Sequence, residues 1–461
     1  MNHTDKERAY RKALLRGAGR CVTMLESEAG KRDFRPLVLW ACGRNLGCDT
    51  QIEGTRALFL YDLIRQYQSP KPFLDVIEEK FLLSMNKADW LFQQECELLA
   101  LFAINGNMRA KCILEHGYER FCRRLRRLNP GRISGPYIPA PDNFSSLCEQ
   151  LLLCEKTAEA QQLLERFVRD VGDLCMRDSF WNDMAAGVHE SAGTILGDNR
   201  LATILDCMKP SVQLAAYKAA LVQVEAKWRK TWPPVWGFRK VYRRIKEQGT
   251  SGIRYMVGRW RLDGRTKDIE GLAKLYEAEK DRATRTMLLD MFSNRNGGYL
   301  SLDGVLRDAS SSDDKLRVSA LRVLAGVRCR RVHDFALDMV KRCGVSREAV
   351  VILAGNYQEK DDDLLIAALK KLGAMRHDVH YELSCIPKSK NCDRLSGRML
   401  AYLYETIECT CCRERIVREL GRRGLLTIEM LEECWHDASV DIRDYAERLM
   451  KRRHLVLKCG R

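Results

Sequence analysis

Residues 313–321 read DDKLRVSAL: two acids, then an arginine, then apolar and small residues that share one side of a predicted helix. The arrangement recurs at residues 440–446, which read VDIRDYA. Acidic residues stabilise the start of a helix, because the helix dipole places positive charge there. Both stretches therefore predict the first turn of an amphipathic helix with an arginine in it.

Six arginines recur in the second half of the chain, spaced 32, 30, 29, 37 and 30 residues apart. They are Arg285, Arg317, Arg347, Arg376, Arg413 and Arg443. Three and seven positions after them stand the pairs Leu288 and Phe292, Ala320 and Leu324, Val350 and Ala354, Val379 and Leu383, Ile416 and Leu420, and Ala446 and Met450. A period near 30 built from paired amphipathic helices predicts an all-α solenoid. Because acidic residues stand in the same turns, we interpret the arginines as structural residues that form ion pairs between stacked helices.

At these positions the chain resembles the HEAT-repeat family, whose units carry an Asp in the inter-helix turn, then an Arg, then small and apolar residues. The resemblance covers residues 268–453, is weaker over 201–225 and is only architectural over 1–170. It implies an all-α, right-handed α-solenoid of HEAT-like antiparallel helix pairs. It brings no catalytic residues with it.

Breaks in the helical periodicity predict six segments along the chain. Pro130, Pro136 and Pro139 interrupt one stretch, and Pro233, Pro234 and four glycines (Gly237, Gly249, Gly252 and Gly258) interrupt another. The segments are an N-terminal helical repeat region (1–128), a Pro/Gly-rich loop or linker (129–144), central helical repeats (145–226), a basic aromatic insertion (227–265), C-terminal HEAT-like repeats (266–453) and a tail (454–461).

The polar stretch at residues 49–56 has two interpretations. Asp49 and Glu53 resemble an acid pair with Arg56 nearby, whereas Thr50 and Glu53 match the S/T-x-x-E capping box. The capping box explains the residues better, and it predicts one helix over Thr50–Gln66.

Composition bounds the class of protein. The formal net charge is +16 over 461 residues, which favours phosphate polymers, anionic surfaces or acidic proteins as partners and also promotes solubility. No apolar run is long enough to span a bilayer, and the first residues are too polar for a secretory signal. The 19 cysteines fall mostly on apolar helical positions, where reduced thiols act as small hydrophobes. We therefore expect a cytoplasmic protein.

The strongest candidate site is the basic aromatic insertion, in which cations alternate with aromatic residues. Its proposed partner-binding residues are Trp228, Arg229, Trp232, Trp236, Arg239, Lys240, Tyr242, Arg243, Arg244, Arg259 and Trp260. Aromatic faces stack on bases while cations follow phosphates, so the composition suits nucleic acid. The same composition also suits an acidic protein or an anionic membrane surface, although less well than nucleic acid. The plainest alternative is a folded insertion whose tryptophans pack and whose cations face water.

A second basic patch is formed by Arg120, Arg123, Arg124 and Arg127, which share one stripe of a predicted helix. Such a stripe can grip phosphates, although a run of charge is more often a solvated face.

Metal and redox sites have weaker support. His377 and His380 stand three residues apart with Cys385 following, and Cys409, Cys411 and Cys412 form a second cluster. Neither cluster has a partner at zinc-finger spacing, so neither a metal nor a cofactor is predicted. The chain has no P-loop, dinucleotide fingerprint or GxSxG elbow, which weighs against an enzyme.

The function expected from the sequence is a non-catalytic α-solenoid scaffold that binds an acidic protein or peptide partner. The alternative is a nucleic-acid-binding protein. In broad architecture and basic charge the chain resembles the HEAT-like alkylpurine DNA glycosylases, a resemblance that implies binding to DNA and a DNA-glycosylase-like base-repair chemistry.

Overall fold

The computed structural model describes residues 3–27, 33–48, 50–85, 90–128, 141–230, 237–248, 266–292, 297–343, 345–373, 377–386 and 395–454. The chain divides into two compact units. Unit 1 comprises Met1–Trp232, Cys409–Cys411 and Leu426–Arg461, and unit 2 comprises Pro233–Glu408 and Cys412–Leu425.

The regular secondary structure of the described residues is helical in both units. The helices before residue 231 are α1 (His3–Arg16), α2 (Arg20–Ser27), α3 (Arg35–Cys42), α4 (Thr50–Glu53), α5 (Ala57–Ile64), α6 (Lys71–Ser84), α7 (Trp90–Ile104), α8 (Met108–Arg127), α9 (Pro141–Leu153), α10 (Thr157–Arg177), α11 (Asn182–Leu196), α12 (Asp198–Cys207) and α13 (Val212–Lys230). The helices that follow are α14 (Phe238–Gln248), α15 (Thr266–Ala278), α16 (Arg282–Phe292), α17 (Leu302–Ala309), α18 (Asp314–Leu324), α19 (Arg330–Cys343), α20 (Arg347–Gly355), α21 (Asp362–Leu372), α22 (His377–Cys385), α23 (Gly397–Thr406), α24 (Thr410–Arg422), α25 (Ile428–Trp435) and α26 (Val440–Arg452).

The prediction of an all-α fold is confirmed, since the described residues contain no strand. Helices pack mainly against the next helix and the one after it. In unit 1, α5, α7, α9, α11 and α13 pack in sequence, and in unit 2, α16, α18, α20 and α22 do the same. The apolar residues three and seven places after the periodic arginines are all at most 3% exposed. Their burial supplies the hydrophobic free energy of each helix pair.

Four of the periodic arginines make the same hydrogen bond. Each donates to a backbone carbonyl six residues earlier: Arg285 to Glu279 at 2.9 Å, Arg317 to Ser311 at 3.3 Å, Arg413 to Ile407 at 3.4 Å, and Arg443 to Asp437. In every case the arginine is the fourth residue of its helix, and the carbonyl lies just past the end of the preceding helix. Carbonyls at a helix end lack intrahelical partners, so the arginine satisfies one and closes the turn between two helices.

The carboxylate partners of these arginines differ from one another. Arg285 pairs with Asp308, 2.6 Å away on the following helix, and Arg347 pairs with Asp378 on α22. Arg317 instead contacts Asp314 of its own helix at 2.5 Å. Arg376 lies outside the described residues. The recurring element is thus the bond to the turn carbonyl, while the ion pair varies.

Unit 1 joins helices from the two ends of the chain. Helix α25 packs against α2, and the Arg20 guanidinium donates to Glu433 at 2.6 Å. The backbone N–H of Ala438 donates to the carbonyl of Gly17 at 2.8 Å. These contacts link residues about 400 positions apart in sequence. Repeat arrays in which each helix pair contacts only its neighbours do not produce such contacts.

The prediction of a single helix over Thr50–Gln66 is wrong. The short helix α4 stops at Glu53, Gly54 adopts a positive φ of 69°, and α5 begins at Ala57. A positive φ suits glycine and ends a right-handed helix. The break turns Glu53 towards Arg56, and their side chains form a buried ion pair at 2.9 Å.

The predicted loop and insertion differ in part from the structure. Helix α9 begins at Pro141, inside the segment predicted as loop, because proline is well suited to the first turn of a helix. Helix α14 occupies the middle of the predicted insertion. Residues 129–140, 249–265 and 455–461 lie outside the described residues, and the six-segment division stays a prediction.

No helix in the described part of the chain combines the length and apolar character needed to cross a membrane. The described cysteines are free thiols. Burial raises the pKa of the Cys42 thiol to about 12, so this side chain stays protonated and packs as an apolar group.

Candidate functional site

Helix α14 presents two different faces. Val241 and Ile245, four residues apart, are 3% and 1% exposed and face α15 and α16, against which α14 packs. Arg239, Lys240 and Arg243 are exposed on the other side. Among the residues that the structure describes, the side chains of Arg239 and Arg243 form no hydrogen bond or ion pair. These two cations are therefore not used to hold the helix in place.

The start of α14 is tied to α15. The backbone N–H of Phe238 donates to Asp268 at 3.0 Å. A Cβ atom at Gly271 would lie 2.7 Å from the Phe238 ring, so only glycine allows this close approach. The Arg239 guanidinium lies 5.8 Å from the centroid of the Phe238 ring. These contacts fix the first turn and hold Arg239 at the surface.

Glu279 anchors the other end of α14. It accepts hydrogen bonds from the hydroxyl of Tyr242 and from the ammonium group of Lys246, both at 2.8 Å. Burial raises the pKa of Glu279, but the bonds from Lys246, the Asp281 N–H and Tyr242 outweigh it and lower the pKa to about 2. Glu279 is consequently ionised at physiological pH, and the ammonium group of Lys246 balances its negative charge.

The remaining predicted partner-binding residues divide into two groups. Arg244 is half-buried in α14, beside the half-buried Tyr242. The side chains of the others lie outside the described residues: Trp228, Arg229, Trp232, Trp236, Arg259 and Trp260. The structure thus locates five members of the set on one helix: Arg239, Lys240, Tyr242, Arg243 and Arg244.

A cleft of about 720 Å³ lies next to α14, at the junction of α15, α16, α17 and α18. Glu279 lines the cleft and contacts α14, so the two features adjoin. The lining residues are Tyr276, Glu277, Glu279, Lys280, Arg282, Arg285, Ser301, Gly304, Arg307, Asp308, Ser311, Ser312 and Leu316. The lining is mostly polar, and it combines four cations with three acids.

Three side chains form a bonded group at the cleft. Asp308, 9% exposed, accepts from Arg285 and from the Tyr276 hydroxyl, each at 2.6 Å. Burial, followed by the bond to Asp308, raises the pKa of Tyr276, which therefore stays a donor. Arg285 also lies 4.4 Å from the Tyr276 ring centroid. Each of the three side chains contacts the other two, and together they form a fixed floor of the cleft.

The outer part of the cleft carries three exposed cations, of which Arg307 lies within electrostatic range of Asp303. Lys280, Arg282 and Arg307 are exposed and, over the described residues, form no side-chain hydrogen bond or ion pair. Glu277 is the one lining acid that neither Lys nor Arg pairs with in the described structure. The cleft therefore holds excess positive charge beside the hydroxyls of Ser301, Ser311 and Ser312.

Sequence reasoning missed these three cations. Lys280 and Arg282 flank Asp281 in a turn, and Arg307 lies 25 residues after Arg282, so no local run marks them. They come to one cleft because α16 and α17 both pack against α18 and because Arg285 of α16 pairs with Asp308 of α17. The spacing of Arg282, three positions before the periodic Arg285, is the single signal that the sequence offered.

The second basic patch lies on α8. Arg120, Arg123 and Arg127 are exposed, and Arg124 is half-buried. Arg126, next to the patch, pairs with Asp170 at 2.7 Å. None of these arginines lines the cleft beside α14. The patch is a run of charge along one helix.

The predicted histidine and cysteine clusters come close at one point. The Cys412 sulfur lies 3.9 Å from Nε2 of His377. Cys409 and Cys412 are buried, and Cys411 is half-buried at the start of α24. His380 is buried on α22, and Cys385 accepts a hydrogen bond from Arg415 at 3.2 Å.

A smaller cleft of about 400 Å³ in unit 1 is lined by Tyr61, Asp62, Trp435 and Arg443, among others. Asp62 and Arg443 pair at 2.6 Å there. The pairing neutralises the central charge, so this cleft does not share the excess positive charge found in unit 2.

No known protein family and no curated protein sequence matches this chain. Among solved structures, this chain is similar to the crystal structure of an engineered protein, at 12% sequence identity and a TM-score of 0.19. The match covers 98% of each of the two chains. So low a TM-score carries no argument about fold or function.

Proposed function

We propose that the protein is a non-catalytic scaffold built from right-handed, HEAT-like solenoid arrays of helix pairs, and that it binds an acidic protein or peptide. The contact surface consists of the exposed face of α14 and the adjoining cleft. The sequential packing of α16, α18, α20 and α22 and the repeated arginine-to-turn hydrogen bond support the solenoid part of the proposal.

The observation that carries the binding proposal is the unpaired charge on α14. Arg239 and Arg243 contribute no ion pair within the described structure, although two acids, Asp268 and Glu279, contact other groups of the same helix. Uncompensated charges on a rigid helix repel one another, and an acidic partner relieves that repulsion.

The described aromatic residues favour a protein partner over nucleic acid. Phe238 packs against Gly271, the Tyr242 hydroxyl is bonded to Glu279, and Tyr276 is fully buried. Base recognition requires an accessible aromatic face for stacking, and these three rings are engaged in packing. The free thiols support a further proposal, a cytoplasmic location, because that compartment keeps cysteines reduced.

A titration of fluorescein-labelled poly-glutamate tests the proposal. Reversing two charges with Arg239→Glu and Arg243→Glu is expected to weaken binding roughly tenfold or more, since attraction becomes repulsion. The same charge change at Lys370→Glu and Lys371→Glu, exposed at the end of α21, serves as the matched control and is expected to alter binding less than about twofold.

Equal losses in the two double variants would contradict the assignment to α14. A parallel titration with labelled single-stranded DNA decides the alternative function. Tighter binding to DNA than to poly-glutamate, with a steep dependence on salt and the same loss at Arg239 and Arg243, would favour nucleic acid instead.

A further inference from the structure

We infer that the cleft beside α14 binds the phosphate group of a phosphorylated serine or threonine in the acidic partner. The inference rests on the proposed function and adds the chemical class of ligand that the cleft selects. It starts from Lys280, Arg282 and Arg307, which come from two different helices and the turn between α15 and α16 and meet in one concavity.

The donors in the cleft suit a compact dianion. A phosphorylated side chain carries about −1.5 to −2 charges on three acceptor oxygens. Two unpaired guanidinium groups offer bidentate hydrogen bonds, and an ammonium group adds a point charge. The hydroxyls of Ser301, Ser311 and Ser312 supply further donors at the same surface. The cations and hydroxyls of the lining therefore approach a bound phosphate from several sides.

Charge density distinguishes a phosphate from a run of carboxylates in this cleft. Of the acids nearby, Asp281 accepts hydrogen bonds from Thr284, and Asp303 pairs with Arg331 at 2.5 Å. Glu277 has no Lys or Arg partner in the described structure. A single dianion meets the three cations at one point, whereas an extended acidic peptide spreads its charge along the surface and past Glu277.

The fixed floor of the cleft favours a phosphorylated side chain over a nucleotide. Tyr276 is fully buried and bonded to Asp308, so no accessible aromatic ring of the described lining offers a face to a base. A phosphomonoester also presents more charge than the phosphodiester of a nucleic acid backbone. In this arrangement the flanking acidic residues of the partner lie along α14, where the cations are exposed.

The test compares one labelled acidic peptide in three forms, with serine, phosphoserine or glutamate at its centre, by fluorescence anisotropy. The phosphoserine form is expected to bind roughly tenfold more tightly than the glutamate form, because charge-assisted bidentate bonds form only with phosphate. Arg282→Ala with Arg307→Ala is expected to abolish this preference, so that the phosphoserine and glutamate forms bind within about twofold of each other.

The control is Lys274→Ala with Arg322→Ala, two exposed cations of the same unit that lie outside the cleft and form no bond in the described structure. This variant is expected to keep the full preference for phosphoserine. Thermal unfolding of both variants should match the parent protein, since none of the four side chains is packed or bonded.

Each outcome decides a different point. Equal affinity for phosphoserine and glutamate overturns the inference and leaves the proposed function intact, whereas no binding of any form contradicts both. If the preference for phosphoserine survives the loss of Arg282 and Arg307, the phosphate does not bind in this cleft. Tighter binding to vesicles that contain phosphatidylinositol phosphates than to the phosphopeptide would assign the cleft to lipid head groups and overturn the peptide assignment.

Discussion

Replacing Arg56 with methionine is expected to lower the free energy of unfolding by about 3–5 kcal/mol. The side chains of Arg56 and Glu53 are 2% and 1% exposed and pair at 2.9 Å. Arg56 also donates to the carbonyl of Arg16 at 3.2 Å. The methionine fills similar space but removes the guanidinium that pairs with the buried Glu53 carboxylate, and breaking one side of a buried ion pair is costly. Urea-induced unfolding followed by circular dichroism measures the change.

A double variant separates loss of the pair from loss of packing. Glu53→Gln together with Arg56→Met removes both charges, so it is expected to recover a large part of the stability lost in the single variant. Arg120→Met, on an exposed arginine of the same unit, is the matched control and should change stability by less than about 0.5 kcal/mol. A loss at Arg56 no greater than that of the control would refute the structural role of this pair.

Arg285→Met is expected to destabilise the protein by about 2–4 kcal/mol, because it removes several charge-assisted bonds at once. Arg285 donates to the carbonyls of Tyr276 and Glu279 and to the carboxylate of Asp308. Asp308 then keeps only the Tyr276 hydroxyl among these donors. Lysine at this position has no planar fork, so Arg285→Lys should recover only part of the loss. Thermal and urea unfolding report both effects.

Arg282 provides the comparison on the same helix, three residues earlier and exposed without a bonded partner in the described structure. Arg282→Met is expected to change stability by less than about 0.5 kcal/mol. If both methionine variants unfold alike, the closing of the turn by Arg285 is not a source of stability. The same pair of variants separates the structural arginines from those available for binding.

The helical fold could be predicted from the sequence because its signal is local. An arginine with apolar residues three and seven positions later marks one face of a helix, and Leu288, Phe292, Ile416 and Leu420 are indeed buried. The hydrogen bond from Arg285 to the carbonyl of Glu279 depends on the exact length of a turn, which helical periodicity does not encode.

Contacts between distant segments were beyond the reach of sequence patterns. The ion pair between Arg20 and Glu433 joins residues 413 positions apart, and nothing in either local sequence marks the other. Gly54 broke a helix that a capping-box motif had predicted, because its positive φ outweighed the local pattern.

The candidate site could be predicted only in part. The density of cations in α14 was visible along the chain, and the helix exposes Arg239 and Arg243. The adjoining cleft depends instead on packing that brings Arg307 near Arg282 and on a bond that neutralises Glu279. Both are consequences of tertiary structure, so charge counted along the sequence could not separate available cations from those already paired.

Hydrogen–deuterium exchange of the full chain, with and without the poly-glutamate peptide, tests the central claim most directly. Bound peptide is predicted to slow backbone exchange in Phe238–Gln248 and in the turn at residues 279–282, because it stabilises the elements that it contacts. Exchange in α8, which carries the second basic patch, is predicted to stay unchanged. Slower exchange in Met108–Arg127 with no change in Phe238–Gln248 would contradict the account and move the acidic partner to the other patch.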